Sequence, residues 1–493
     1  MNKVIRIHEA DHVAVALQPI RAGETVVAGE TAVIAKEDIA QGHKIAVREI
    51  PEGENVVKYG FSIGHATVHV EAGEWVHTHN MHTGLSAETE YTYHPDLKPI
   101  TPVEPETFMG YRRRDKKVAV RNEIWIIPTA GCVNDVAKKM AKDNQDLVAG
   151  SVEGLYSFAH PYGCSQTGED HAQTRKLLAA LVRHPNAAAV LVLGLGCENL
   201  TCGQFLEELG EYDADRVKFL VCQETADEFA EGRKLLEQCA EYAKQFTREA
   251  IPVSELVIGM KCGGSDGLSG ITANPVVGRL SDMLCARGAG TVLTEVPEMF
   301  GAEGMLLNRC ANEAVFRKAV DMINGFKHYF TSHNETIYEN PSPGNRQGGI
   351  TTLEEKSCGC VQKGGRAPVM DVIGYGEPVV ARGLNLLYGP GNDLVSSTAL
   401  TAAGAHLILF TTGRGTPFGA PAPTIKIASN TGLAVRKPGW TDFNAGTVAD
   451  GESIEDAAKR LLEFVIETAG GRQTKAEQNG FREIAIFKDG VTL

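Results

Sequence analysis

Two hydrophobic rhythms divide this chain. Up to about residue 90, short apolar runs (12–17, 24–27, 31–34, 43–47) alternate with turn segments rich in Gly, Asp and Glu, which is the spacing of an all-β module. Residues 91–110 carry Pro95, Pro99, Pro102 and Pro105 among Thr and Glu and read as a linker. From Tyr111 onward, apolar runs of strand length alternate with amphipathic stretches. That alternation predicts βαβ units around mainly parallel sheets. Helices are expected over 134–148, over 170–183 with Asp170 as N-cap, and over 453–469 with Ser453 as N-cap and Gly470-Gly471 as the stop. A charged helix ending near Arg248, followed by a fresh strand at Glu255, splits this region into two α/β catalytic domains, 111–250 and 251–493. The expected fold is therefore α/β multidomain, with an all-β domain over 1–90.

Glycine-rich blocks carrying reactive side chains follow several of the strand-like runs. They are His160-Pro-Tyr-Gly-Cys164, Gly194-Leu-Gly-Cys-Glu198, Lys261-Cys-Gly-Gly-Ser-Asp266 and Thr411-Thr-Gly-Arg-Gly-Thr-Pro417. Parallel α/β sheets gather their ligands just beyond the carboxyl ends of their strands, and glycine there lets backbone approach a ligand. The repetition predicts one composite active site. Gly194-Leu-Gly196 is not a dinucleotide fingerprint, because Asn199 stands where the third glycine belongs.

Composition narrows the function class. The chain has 493 residues, too many for one core, and a net charge of -14. That charge argues against nucleic acid and anionic membrane as partners and leaves room for a local cationic pocket that holds a small anion. No run approaches the ~18 apolar residues of a membrane span. The 11 dispersed cysteines fit reduced thiols in a cytoplasm rather than a disulfide scaffold.

The candidate chemistry is spread along the chain. Cys132, Cys164, Cys197 and Cys262 sit in glycine-flanked strand-end positions; three thiolates gathered by folding can hold iron, while a buried cysteine is also a common apolar filler. Cys358 and Cys360, one residue apart, are expected to share a single loop and rank below them. His77 and His79 would face the same way on a strand, or else lie in an exposed polar loop. His160 follows an apolar run and is placed as a base or ligand. Pro341 and Pro343 make 340–349 a rigid loop, with Arg346 suited to a carboxylate. Glu355 and Lys356 follow; a lysine desolvated near other cations loses basicity and can serve as a base, whereas an exposed Glu-Lys pair would do nothing of the kind.

Taken together, these blocks resemble the altronate/galactarate dehydratase family nearly end to end. The strings that carry the likeness are Gln41-Gly-His-Lys44, Gly73-Glu-Trp-Val-His-Thr-His-Asn80, His160-Pro-Tyr-Gly-Cys-Ser165, Gly194-Leu-Gly-Cys-Glu198, Cys262-Gly-Gly-Ser-Asp-Gly-Leu-Ser-Gly-Ile-Thr-Ala-Asn-Pro275, Thr294-Glu-Val-Pro-Glu298, Asn340-Pro-Ser-Pro-Gly-Asn345 and Thr411-Thr-Gly-Arg-Gly-Thr-Pro-Phe-Gly419. The resemblance implies an N-terminal SAF (β-clip) domain and a catalytic α/β region. It also implies dehydration of D-altronate to 2-dehydro-3-deoxy-D-gluconate, with Fe2+ or Mn2+ as cofactor. Arg346 stands where the family's loop often has lysine, which keeps the charge and alters its geometry.

Removing the C2 proton of a sugar acid puts negative charge on its oxygens, so a metal and cations are required to stabilise it. The expected site has His160 or Lys356 as base, with Glu355 beside it and His43 as acid or metal ligand. Cys164, Cys197 and Cys262 are the metal ligands. His77, His79, Asn274, Asn345, Arg346, Arg414 and Thr416 contact the substrate, with Arg346 and Arg414 on its carboxylate. Galactarate dehydration, sulfite elimination from a sulfonated hydroxy acid, and a sugar-acid-binding regulator remain open, as does homo-oligomerisation.

Overall fold

A computed structural model describes residues 3–86 and 88–493. The N-terminal part consists only of short antiparallel strands. Val4–Ile5, Val13–Ala16, Lys44–Ala46 and Trp75–Val76 form one sheet in that order, Thr25–Ala28 and Thr31–Ile34 a hairpin, and Asn55–Lys58, Phe61–Ala66 and Met81–His82 a third sheet. The tip between Lys58 and Phe61 is Tyr59-Gly60, both at positive φ (62° and 77°), the backbone of a tight hairpin turn. It drives the Tyr59 side chain into the body of the molecule. There a Cβ on Gly270 would lie 2.2 Å from the Tyr59 hydroxyl oxygen, so only glycine fits.

Residues 88–106 carry no helix or strand but are tied down. Tyr93 Oη donates to the Cys310 carbonyl (2.6 Å), and the Asp96 and Val103 N–H groups donate to the carbonyls of Asn308 and Ala286 (both 2.8 Å).

Two parallel sheets follow. The smaller has the order Gly154–Ser157, Glu123–Pro128, Ala187–Gly194, Val217–Val221. The larger has the order Val369–Ile373, Gly383–Leu387, Gly290–Leu293, Val257–Cys262, Leu407–Thr412, Thr424–Ala428, Phe443–Asn444. Ala187–Gly194 and Leu407–Thr412 are buried along their whole length, which is why their sequences read as unbroken apolar runs. Each fully buried Leu or Val there contributes ~1.5–3 kcal/mol. A small antiparallel sheet (Val118–Ala119, Thr107–Arg112, Glu249–Pro252) lies beside them. The chain end returns to the smaller sheet through a buried network: Arg121 and Arg482 pair with Glu477 (2.7 and 3.1 Å), and Arg482 pairs with Glu123 (2.8 Å). Among the described residues no helix is long and apolar enough to cross a membrane.

Local details correct the sequence reading in three places. The first helix is Asn134–Asp143, and Gln145–Leu147 is a separate tight turn. The second is Gly168–Val182, preceded by Thr167. Asp170 is not its cap; its carboxylate instead accepts the N–H groups of Asp489 and Gly490 (both 2.8 Å) and holds the returning chain end. The proline-rich stretch contains a short helix, Pro343–Gln347. Pro343 occupies its first turn, where the missing N–H costs nothing, and Ser342 and Asn345 close a capping box. The Ser453 cap on Ile454–Ala469 is as expected.

Candidate active site at the carboxyl edge of the larger sheet

Strand Val257–Cys262 and the neighbouring strand Gly290–Leu293 end side by side. The first delivers Cys262; the second leads into a turn, Val296–Met299, that carries Glu298. Helix Leu353–Cys360 delivers Lys356 and Cys360. Cys262 Sγ lies 3.0 Å from Glu298 Oε2 and 3.4 Å from Cys360 Sγ. Lys356 Nζ pairs with Glu298 (2.8 Å) and donates to Asn340 Oδ1 (3.0 Å). Glu295, at φ 72°, accepts the Cys262 N–H (2.8 Å) and pairs with Lys261 (3.0 Å). Lys261 in turn reaches Asp393 (2.9 Å) and Ser396 Oγ (2.8 Å).

Three acids this close cannot all ionise in the interior without a cation between them. Burial opposes ionisation of Glu298, yet the ammonium groups of Lys356 and Lys363 outweigh it and bring the carboxyl down to about 2. The hydrogen bond with Cys360 outweighs burial and draws the Cys262 thiol down to about 6. Burial and the Glu298 charge push Glu295 well above the carboxylate range. Among the described residues, Cys262, Glu298 and Cys360 are the one group of three His, Cys, Asp or Glu whose ligand atoms all lie within 4.8 Å of one another. Two thiols and a carboxylate held this way suit a borderline divalent ion such as iron better than a hard one, so the donor set fits a metal.

The all-β module closes over the same helix. Glu355 receives Lys44 and Lys58, both at 2.8 Å and all three buried. Burial opposes the Glu355 charge, but the two ammonium groups outweigh it and hold the carboxyl at about 2. Lys44 also donates to the Gly349 carbonyl (2.9 Å) and Thr351 Oγ1 (2.8 Å). Gly42 meets the body backbone to backbone: a Cβ on Gly267 would lie 1.9 Å from the Gly42 carbonyl oxygen.

Two histidines ride on this interface. Trp75 Nε1–H donates to His43 Nδ1 (3.1 Å), which leaves Nε2–H to donate to the Gln347 carbonyl (3.2 Å). His77 Nδ1 is 2.8 Å from Thr351 Oγ1, and Nε2 has no hydrogen-bond partner among the described residues. Burial, then the Lys44 charge, lowers His77 to about 4, and burial likewise lowers His43. Both rings are neutral at pH 7, with centroids 5.2 Å apart.

A small cleft between module and body is lined by Lys58, Tyr59, Ser265, Asp266, Asn274, Glu355, Lys356 and Cys360, among others. The buried Ser265 hydroxyl has no partner among the described residues. Asn274 donates through Nδ2 to the Gly359 carbonyl (3.0 Å) and accepts at Oδ1 from the Thr411 hydroxyl (2.7 Å). Asn345 Nδ2 donates to the Ser265 carbonyl (2.8 Å). Both shape the cleft wall. Arg414 is exposed and donates to Gln347 Oε1 (2.9 Å); Arg346, next to Gln347, is exposed as well. Thr416 accepts the Phe418 N–H (3.5 Å) on the segment after Arg414.

The structure thus gathers His43, His77, Glu355, Lys356, Asn274, Asn345 and Cys262, with Arg414 and Arg346 outside them. Other candidates fall elsewhere. His77 and His79 do not share a strand face: 77–80 is a turn closed by His77 N–H to Asn80 Oδ1 (2.9 Å), which buries His77 and exposes His79 against Trp75. His160, Cys164 and Cys197 lie at the carboxyl edge of the smaller sheet, after Gly154–Ser157 and Ala187–Gly194. His160 is buried, its Nε2 donating to the Pro128 carbonyl (2.7 Å) and its Nδ1 accepting the Tyr162 N–H (3.2 Å); burial pushes it down to about 4. Both nitrogens are spent on backbone. Lys356 is not the desolvated weak cation expected from sequence, because Glu298 outweighs burial and raises it above the usual lysine range.

Sequence reasoning ranked Cys360 low and missed Glu298, Lys44 and Lys58. Cys358 and Cys360 sit on a helix, not a shared loop, and successive helical positions turn by about 100°, which separates them. Glu298 ends one of the strand-end strings, and that was its only visible signal.

Profile matches agree with this three-part layout. The altronate/galactarate dehydratase SAF domain matches residues 2–84, the second domain of D-galactarate dehydratase/altronate hydrolase matches 110–244, and the D-galactarate/altronate dehydratase C-terminal domain matches 253–492. The chain is 51% identical to the altronate dehydratase of Bacillus subtilis (strain 168), covering 100% of both chains, and 50% identical to that of Escherichia coli (strain K12), covering 99% of both. It is 34% identical to the galactarate dehydratase (L-threo-forming) of Escherichia coli (strain K12), covering 98% of this chain and 96% of the relative. Identity of this extent, over an architecture that brings the shared strings to one sheet edge, places the chain in the D-galactarate/altronate dehydratase family.

Proposed function

We propose that the chain is a hydro-lyase that dehydrates D-altronate to 2-dehydro-3-deoxy-D-gluconate in sugar-acid catabolism, and that it uses Fe2+, with Mn2+ as a substitute. The observation that carries this reading is the buried Cys262–Glu298–Cys360 donor set beside the Lys356 ammonium, in a cleft at strand ends that the β module covers. A divalent ion held by Cys262 Sγ, Cys360 Sγ and Glu298 would supply Lewis-acid stabilisation of charge on the substrate oxygens.

The protein's own groups do the rest. Neutral His77 takes the C2 proton at Nε2, while Thr351, itself bonded by Lys44, fixes the ring at Nδ1. The electron pair of the C2–H bond forms the C2–C3 double bond as the C3–O bond breaks. Lys356 Nζ–H donates toward the departing hydroxyl, which leaves as water, and the enol tautomerises to the 2-keto product. The guanidinium groups of Arg414 and Arg346 hold the substrate carboxylate, and the Ser265 hydroxyl takes one substrate hydroxyl. His43, bonded at both nitrogens, positions the module rather than moving a proton.

The test is an anaerobic assay of iron-loaded protein with altronate, galactarate and sulfolactate. A 2-keto-3-deoxy product formed fastest from altronate is expected. Saturable altronate binding without product would overturn the reading in favour of a binding protein. Removing even an outer partner of a metal ligand costs ~10–100-fold in metal affinity. Cys262→Ser is therefore expected to weaken Fe2+ binding by at least ~10-fold, measured as iron retained after anaerobic dialysis against a chelator series; unchanged retention would remove Cys262 from the site.

A further inference from the structure

Every strand of the smaller parallel sheet runs out into a cysteine: Gly154–Ser157 toward Cys164, Glu123–Pro128 toward Cys132, Ala187–Gly194 toward Cys197, and Val217–Val221 into Cys222. All four thiols are free; Cys132 and Cys197 are exposed and Cys164 is half-buried. The dehydration site uses none of them.

The strands leading to Cys164, Cys132 and Cys197 are neighbours in the sheet, and their loops are laced together next to the cysteines. Gly131 N–H donates to the Tyr162 carbonyl (2.9 Å), joining the Cys132 and Cys164 loops. Ser165 N–H donates to Asn199 Oδ1 (2.7 Å), and Leu200 N–H to the Gly163 carbonyl (2.9 Å), joining the Cys164 and Cys197 loops. Each cysteine is thus within two residues of a hydrogen bond to a neighbouring loop. The packing is backbone against backbone: a Cβ on Gly163 would lie 1.7 Å from the Thr129 carbonyl oxygen. Buried Glu198 fixes the Cys197 turn by accepting the N–H groups of Leu195 (2.9 Å) and Gly196 (2.5 Å) and the Thr129 hydroxyl (2.7 Å). Buried Gln166, beside Cys164, accepts the Gly163 N–H (3.0 Å) while its amide nitrogen has no partner among the described residues.

From this juxtaposition we infer that Cys132, Cys164 and Cys197 ligate a [4Fe–4S] cluster at the carboxyl edge of the smaller sheet, separate from the dehydration site. Their ligand atoms are too widely set for one ion, since among the described residues only Cys262, Glu298 and Cys360 fall within 4.8 Å of one another. A cubane spreads its thiolates over separate irons, and three thiolates leave one iron open toward solvent. Cys222 ends the outer strand of the sheet, and its neighbour Gln223 ties that loop to the Cys197 loop through its N–H to the Leu195 carbonyl (3.0 Å) and its Nε2 to Cys197 Sγ (3.4 Å). Two ferric and two ferrous ions with four sulfides, all supplied from outside, make the 2+ cluster core with no electron transferred, and binding to the three cysteines releases three thiol protons.

The inference is independent of the dehydratase reading and is tested without activity. The full chain is reconstituted anaerobically with ferric and ferrous iron in equal amounts and sulfide, then desalted. About four acid-labile sulfides per chain and a broad visible charge-transfer absorption are expected. Cys132→Ser/Cys164→Ser/Cys197→Ser should lose both, and Cys262→Ser should keep both. Iron bound without labile sulfide in the unmodified chain, or labile sulfide retained by the triple variant, overturns the inference. If the triple variant does not fold, the three single variants with native circular dichroism decide: sulfide loss in each supports the cluster, and retention in all three overturns it.

Discussion

Replacing His77 with asparagine is expected to lower kcat by ~10²–10⁴-fold, the ordinary contribution of a positioned general base. Asparagine preserves a hydrogen-bonding group toward Thr351, so the fold and the iron content should stay as they are. The pH profile separates this role from a structural one. The ring is a base only while neutral, and burial with the Lys44 charge lowers it to about 4. Activity should therefore persist through mildly acidic pH and fall only as pH drops toward 4, and the variant's residual activity should lack that limb. Turnover within a factor of ~10 of the unmodified enzyme would be incompatible with general-base catalysis at this position.

Removing the Glu355 carboxylate should produce the largest change in stability. Glu355→Ala leaves the Lys44 and Lys58 ammonium groups buried without their counter-charge, and breaking a buried pair by deleting one partner costs ~3–5 kcal/mol. Urea unfolding followed at two wavelengths measures it; a loss below ~1 kcal/mol would match a solvent-screened surface pair instead. The pH dependence has a definite sign. The folded carboxyl sits at about 2 and the unfolded one near 4.3, so the unfolded chain binds more protons between those values. Its stabilisation is complete above about pH 4.3 and is lost as pH falls through about 2. The variant should show a flatter stability curve across that window. Activity should fall too, because Glu355 is how the β module grips the helix that carries Lys356 and Cys360.

Much of the fold was legible in the chain. Short runs with turn residues between them gave the β module, and unbroken apolar runs gave the strands of the two parallel sheets, because burial on both faces leaves no polar alternation. The Ser453 cap was readable for the same local reason: a hydroxyl just before an amphipathic stretch satisfies helix N–H groups within three residues. Asp170 looked like such a cap and was not, since residues more than 300 positions away took its carboxylate. Pro343 looked like a helix breaker and was a helix starter, a distinction that depends on its position within the turn.

The site divides along the same line. Residue type and strand-end placement are local, so the sequence alone determined that Cys262 would stand at a strand's carboxyl end and that family strings would recur from Gln41 to Gly419. Which strand ends meet is not local. The four-strand and seven-strand sheets separate His160, Cys164 and Cys197 from Cys262, although the three blocks that carry them look alike in one dimension. Charge state was equally out of reach, because Lys44, Lys58, Lys356, Glu298 and Glu355 are ordinary surface residue types until the packing of module against body removes their water. Only the tertiary structure decided that, since desolvation and a partner 2.8 Å away come from contacts between distant parts of the chain, 311 positions apart for Lys44 and Glu355.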